Sequence, residues 1–217
     1  MVTHDDGRRS MTKLPASKRR IASRGQPARA IDTKRRLIGS ERSRGLIIVY
    51  TGDGKGKTTA SLGLALRAAG HDMRVCMIQF IKGSWFTGEL KSCKFLAPNF
   101  RIIPAGKGFV GIIDDKKPRS QHAAAARRAF LVSGKIISSG LYDIVILDEI
   151  NCAISLKLIK PQAVLELIQQ RPDHVNLVLT GRRAPRLIID AADLVTEMRK
   201  IKHPYDKGMT ARKGLDF

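Results

Sequence analysis

Three places in the chain carry residues whose types and spacing suit phosphate chemistry. The first is Thr51-Gly52-Asp53-Gly54-Lys55-Gly56-Lys57-Thr58-Thr59, a glycine-rich turn closed by a lysine and two hydroxyls. Successive backbone N–H groups in such a turn, followed by a helix N-terminus, face an anion, and the lysine adds a point charge. The second is Asp148-Glu149, at the end of an apolar run. Asp148 stands where a nucleotide site places the acid that holds Mg²⁺ (or Mn²⁺), directly or through water, and Thr58 supplies the matching hydroxyl. Glu149 has two readings: a contact to metal, ribose or water, or an N-cap or surface carboxylate. The third is Thr180-Gly181-Arg182-Arg183, just past another apolar run. Arg182 suits a two-pronged clamp on phosphate, and Arg183 faces solvent in this reading.

The elements that must position these residues follow from hydrophobic pattern. Leu46 to Tyr50 reads as a buried strand, and Thr58 to Ala69 as a helix closed by Gly70. Strand, glycine-rich turn, Lys-Thr, helix is the context a phosphate-binding loop requires. Further strands are expected over Arg74–Phe80, Asn99–Ile103, Ile144–Leu147, Val175–Leu179 and Leu194–Met198, with helices over Arg119–Ser139, Pro161–Gln170 and Pro185–Ala192. Continuous apolar strands separated by helices predict an α/β fold, a mostly parallel sheet with helices on both faces. Trp85 and Phe86, on the loop from Lys82 to Lys91, either line a pocket at the strand ends or pack as ordinary loop residues.

The usual spacing of the phosphate loop is G-x-x-x-x-G-K-[ST]. Counting back from Gly56-Lys57-Thr58 meets Thr51 where the first glycine belongs, with Gly52 one place later. The loop also carries an extra cation, Lys55, and an acid, Asp53.

The 217 residues carry a formal charge of +21, and 43% are apolar, enough for a core. Residues 1–44 hold 13 Lys/Arg against 4 Asp/Glu, and the remainder is basic too. Such a surface attracts polyanions: nucleic acid, acidic membranes, or nucleotides at a focused site. The domain reading is a basic, largely flexible segment over 1–43 and a folded domain over 44–217. The basic segment is either a lid over bound anionic substrate or a solubilising tail. Cys76, Cys93 and Cys152 form neither a disulfide framework nor a C-x-x-C metal site, which fits a reducing cytoplasm. No apolar run reaches the length of a membrane helix, and the N-terminus has no continuous apolar signal region. The Arg- and Ser-rich start is shared with organelle transit peptides, and Asp5, Asp6 and Asp32 count against that. His203 in the polar tail is a weak ligand or base candidate, His71 is structural or exposed, and Cys152 is a packed thiol. No nucleophile–histidine–acid order, paired carboxylates of glycosidase type or histidine cluster is present to argue from.

Five stretches taken in order resemble the ATP:corrinoid adenosyltransferases of cobalamin synthesis and salvage. They are VYTGDGKGKTTAS (Val49 to Ser61), QFIKGSW (Gln79 to Trp85), VILDEI (Val145 to Ile150), LTGRRAP (Leu179 to Pro185) and the run from Ala192 to Phe217. The resemblance spans Arg44 to Phe217, and the phosphate loop without its first glycine is that family's version. It implies a six-stranded, mainly parallel sheet and a homodimer. The implied reaction moves the 5′-deoxyadenosyl group of ATP onto the cobalt(I) of a reduced corrinoid, with triphosphate leaving. ATP would lie across the loop in the reverse of the common sense. By the same resemblance, Gly52 to Thr59 with Lys57 hold the triphosphate. Thr58, Asp148 and Glu149 serve Mg²⁺, and Trp85 and Phe109 serve the corrinoid side. Gly111 stands where the family carries a tryptophan, and Cys152 lies near where it tends to carry a tyrosine. The basic surface also suits an acidic electron donor such as a flavoprotein. Two other readings compete: a nucleic-acid-stimulated ATPase, supported by charge but by no recognition element, and a non-catalytic ATP- and corrinoid-binding relative.

Overall fold

The computed structural model describes residues 44–83, 87–108 and 117–216. The segment 1–43, the aromatic residues Trp85, Phe86 and Phe109, and Gly111 lie outside the described residues. Six strands form one all-parallel sheet: β1 (Ile47–Thr51), β2 (Val75–Gln79), β3 (Phe100–Pro104), β4 (Ile144–Asp148), β5 (Asn176–Thr180) and β6 (Leu194–Glu197). Their order is β3-β2-β4-β5-β1-β6. The helices are α1 (Lys57–Ala69), α2 (Gly88–Ser92), α3 (Arg119–Ser138), α4 (Ile150–Ser155), α5 (Pro161–Gln169) and α6 (Arg186–Asp190).

The strands divide their side chains between two cores because successive residues point to opposite faces. Cys76 and Ile78 of β2 share one cluster with Val145 and Leu147 of β4, and α3 to α6 cover that face. Val75 and Met77 share the other with Ile144 and Ile146, under Ala65 and Ala68 of α1. Both faces of β2 and β4 are therefore buried, which is why these strands read as unbroken apolar runs.

The edge strand β6 departs from that pattern. All four of its residues are exposed, including Leu194 and Val195, so helix cover on both faces holds for the inner strands and fails here. Two short helices were not legible from the pattern. α2 has five residues and α4 six, too short to show a helical period. Among the described residues no helix is long and apolar enough to cross a membrane.

Parallel pairing brings every strand's carboxyl end to one rim. Gln79 lies opposite Asp148, and Tyr50 opposite Thr180. The contrast between centre and edge is measurable. Leu147→Ala, at a fully buried position, is expected to cost about 2–5 kcal/mol in urea unfolding. Leu194→Ala, on the exposed edge, is expected to stay within about 0.5 kcal/mol.

Candidate functional site

The glycine-rich turn leaves β1 at Thr51 and enters α1 at Lys57. Gly56, the N-cap of α1, has φ 114°, a conformation that side chains with a Cβ rarely adopt. The turn leans on the chain that follows β6: the Gly54 N–H donates to the Met198 carbonyl at 2.6 Å. Lys57 is buried, and its Nζ donates to the carbonyls of Gly52 at 2.7 Å and Gly54 at 2.6 Å. The lysine is thus held over its own loop. Burial pushes its pKa below the usual 10.5; the Glu149 carboxylate opposes that shift and the Arg182 guanidinium adds to it.

Asp148 is fully buried at the end of β4. Its Oδ1 accepts from the Thr58 hydroxyl at 2.9 Å and from the Thr180 hydroxyl at 2.8 Å. The Thr180 oxygen in turn accepts the Glu149 N–H at 2.9 Å. One carboxylate oxygen therefore ties together the starts of α1 and α4 and the end of β5. Asp148 Oδ2 is buried with no hydrogen-bond partner among the described residues. Burial pushes the Asp148 carboxyl above its ordinary 3.8; Lys82 opposes, Glu149 adds, and the two hydroxyls oppose.

Glu149 sits at φ 64° as the N-cap residue of α4, without a side-chain capping bond. A left-handed glutamate is uncommon, and such strain concentrates at functional positions. The turn beside it needs a glycine as well. Gly181 has φ 128°, and a Cβ there would stand 2.8 Å from the Cys152 amide nitrogen.

A cleft of about 470 Å³ collects these groups. Gly54, Lys55, Gly56, Lys57, Thr58 and Thr59 form one wall, Glu149 and Arg182 stand at the rim, and Lys82 and Glu89 also line it. Asp148 is not on the surface of the cleft but lies behind Thr58. Gly52 and Asp53 line a separate hollow of about 350 Å³ with Arg183, Ile189 and Val195. The sequence-predicted loop is thereby split: residues 54–59 face the cleft, and residues 52 and 53 face the other hollow. Arg183 is left-handed and exposed, as expected of a solvent-facing residue.

The C-terminal run, a polar tail that also carries part of the family resemblance, reaches the site although none of its last residues is expected there. Gly214, Leu215 and Asp216 line the same cleft, and the Asp216 carboxylate pairs with the Lys55 ammonium. Its Oδ2 also accepts the Arg212 N–H at 2.7 Å, which closes the turn that carries it. No local pattern points from Asp216 to Lys55, which lie 161 positions apart. His203 has a structural role, with its Nδ1 accepting the Tyr205 N–H at 3.1 Å at the head of a short 3-10 turn. Cys152 Sγ accepts the Arg182 N–H at 3.3 Å. Burial and the neighbouring Glu149 push that thiol up to about 12, so it is inert at neutral pH.

Residues 43–217 match the family described as ATP:corrinoid adenosyltransferase BtuR/CobO/CobP. The chain belongs to the ATP:corrinoid adenosyltransferase family. Corrinoid adenosyltransferase CobA of Salmonella typhimurium is 35% identical over 182 residues, 84% of this chain and 90% of its own. A corrinoid adenosyltransferase of Pseudomonas aeruginosa is 33% identical over 207 residues, 95% of this chain and 100% of its own. One from Sinorhizobium sp is 38% identical over 176 residues, 80% of this chain and 81% of its own.

The donor set fits a magnesium ion. Among the described residues no group of three or more His, Cys, Asp and Glu is assembled to hold a metal. Magnesium asks for less, one or two carboxylates with substrate phosphates and water completing its octahedron. Thr58 and Glu149, which line the cleft, would be the direct donors, with Asp148 buried behind Thr58 and hydrogen-bonded to it.

The raised Asp148 pKa has a stability consequence of fixed sign. The folded chain holds this proton more tightly than the unfolded chain. Its contribution is therefore complete below the unfolded value, near 3.8, and is lost as pH rises through the folded value. Asp148→Asn removes that loss. The variant's melting temperature relative to the parent is expected to climb as pH rises above the unfolded value near 3.8. A gap that stays constant as pH rises contradicts the burial argument.

Proposed function

We propose that this chain transfers the 5′-deoxyadenosyl group of ATP to the cobalt(I) of a reduced corrinoid. The observation that carries the reading is the Lys57–Thr58–Asp148 arrangement in a cationic cleft of a chain that belongs to this family. The cobalt(I) electron pair attacks C5′ of ATP and a cobalt–carbon bond forms. The C5′–O bond breaks, and its electron pair leaves with inorganic triphosphate. Cobalt is formally oxidised from +1 to +3, and no proton has to be removed. The described residues offer no activated side-chain nucleophile, and the reaction needs none.

The protein's work is then placement and charge stabilisation. Lys57 and the amides at the start of α1 bind the triphosphate and stabilise the charge it gains on leaving. Lys55 adds a second cation, once Asp216 gives way to the more highly charged phosphate. Arg182 clamps from the rim. Magnesium, when bound, screens the triphosphate; Thr58 and Glu149 hold it from the cleft side, and Asp148 orients Thr58 from behind. Phe109 and Trp85 belong to the corrinoid side of this proposal, and Gly111 stands in the sequence where the family carries a tryptophan. The proposal extends to a cytoplasmic homodimer, served by an acidic flavoprotein reductant.

The test is anaerobic incubation with ATP, Mg²⁺ and chemically reduced cobalamin. The expected result is a light-sensitive cobalt–carbon product formed in step with triphosphate. Release of orthophosphate without that product overturns the reading and favours an ordinary ATPase. In the same assay Lys57→Ala is expected to lower the rate by about 10²–10³-fold, the usual effect of removing one preorganised donor to a developing charge. A variant within threefold of the parent would remove Lys57 from the role assigned to it.

A further inference from the structure

Across the cleft from the glycine-rich turn stands a cation that the function above does not use. β2 ends at Gln79, and the chain then crosses the carboxyl end of the sheet. That crossing is tightly anchored. The Phe80 N–H donates to the Asp148 carbonyl at 2.9 Å, Gly106 donates to Lys82 at 3.2 Å, and Gly108 donates to Ile81 at 2.9 Å. Phe80 and Ile81 are buried beneath it. The backbone of Lys82 is therefore fixed by its neighbours.

Its side chain is fixed as well. Lys82 Nζ donates to Glu89 Oε1 at 2.7 Å, and Gln79 Nε2 donates to the same oxygen at 3.1 Å. The Lys82 and Glu89 side chains are only 18% and 11% exposed. Burial by itself would raise the Glu89 carboxyl, but the Lys82 hydrogen bond and charge, together with hydrogen bonds from its own backbone N–H and from Thr87, hold the group below its usual 4.5. Glu89 is thus an anion that grips a cation in a defined place. Among the described residues Glu89 takes one of the ammonium's three N–H donors, and the other two have no partner there.

An isolated ion pair of this kind is a poor stabilising device, because desolvation offsets most of the attraction. Its position explains it better. Lys82 and Glu89 line the cleft that also holds Lys55 and Lys57. In the sheet, β4 and β5 separate β2 from β1, so the two cationic walls rise from strands about 14 Å apart. Both walls therefore present lysines to one shared cleft of about 470 Å³. Glu149, just past the end of β4, lines the same cleft, while Asp148 is fully buried.

We infer that Lys82 is a triphosphate-binding residue on the wall opposite the glycine-rich turn, and that Glu89, anchored by Gln79, is the positioning residue that aims it. This inference rests on the phosphate-site reading proposed above and adds a second wall to it. The Glu89 contact leaves two N–H donors for phosphate oxygens, and so Lys82 shares the charge of the leaving triphosphate with Lys57.

The test uses the full chain and inorganic tripolyphosphate. Lysines are acetylated briefly with and without saturating tripolyphosphate, and protection is read peptide by peptide by mass spectrometry. Lys55 and Lys82 are expected to be protected together. Protection of Lys55 without Lys82 overturns the inference and leaves the phosphate site standing; protection of neither overturns both. In parallel, Lys82→Ala is expected to weaken tripolyphosphate binding by about 10- to 100-fold, the worth of a hydrogen bond to a charged group. Lys82→Arg is expected to recover most of that loss. Glu89→Gln is expected to raise KM for ATP more than it lowers kcat. Binding of tripolyphosphate by Lys82→Ala within twofold of the parent overturns the inference.

Discussion

One buried carboxylate oxygen organises this molecule. Asp148 Oδ1 takes hydrogen bonds from Thr58 and Thr180, and these come from the beginning of α1 and the end of β5. A charge removed from water is costly unless it is paired and hydrogen-bonded. Here it receives two hydroxyls and the nearby Lys82 charge, and the net effect still raises its pKa. The fold therefore carries an electrostatic cost at the centre of its strand-end rim. What it obtains is registration: the hydroxyl that opens α1 cannot move independently of the acid that ends β4. The left-handed Glu149 and Gly181 belong to the same constraint, because the chain must turn sharply on both sides of that contact.

Around this centre the cleft balances cations against acids. Lys55 faces Asp216, Lys82 faces Glu89, and Glu149 lies close enough to Lys57 to oppose the loss of its proton. Each lysine is held in place by an acid or by loop carbonyls. A polyphosphate bound there would meet Lys57 and Lys82 already held in place, whereas Lys55 would first have to leave Asp216; cations fixed in advance are the condition for effective electrostatic stabilisation. The pairs differ in strength of hold. Glu89 is half-buried and shared with Gln79, whereas Asp216 rides on a C-terminal turn with exposed neighbours.

Much of the layout was legible in the residues. The six strands, four of the helices and the phosphate loop follow from apolar runs punctuated by glycine and proline, because a parallel sheet buries both faces of its inner strands and leaves continuous runs behind. Strand ends fell within a residue or two of expectation, as for β1 at Ile47–Thr51 against Leu46–Tyr50. α2 and α4 escaped because five or six residues hold too little period to detect. The exposed face of β6 escaped because Leu194 and Val195 are as apolar as a buried edge would be. Asp53 and Gly52, which the family resemblance includes in the phosphate loop, line the neighbouring hollow, because a tight turn sends adjacent residues to opposite sides.

The sequence by itself determined which residues could handle phosphate and that they would meet at the carboxyl ends of parallel strands. Gly56-Lys57-Thr58, Asp148-Glu149 and Thr180-Gly181-Arg182 are local signals, since each depends on a few neighbours and on the strand before it. Only the tertiary structure decided how the charges pair. Lys82 with Glu89, Lys55 with Asp216, and the shared oxygen of Asp148 are contacts between segments that strand order alone brings together. Electrostatic partners act over a few ångströms of space and leave no periodic trace along the chain, and for that reason the cleft's second wall became visible only once the sheet was assembled.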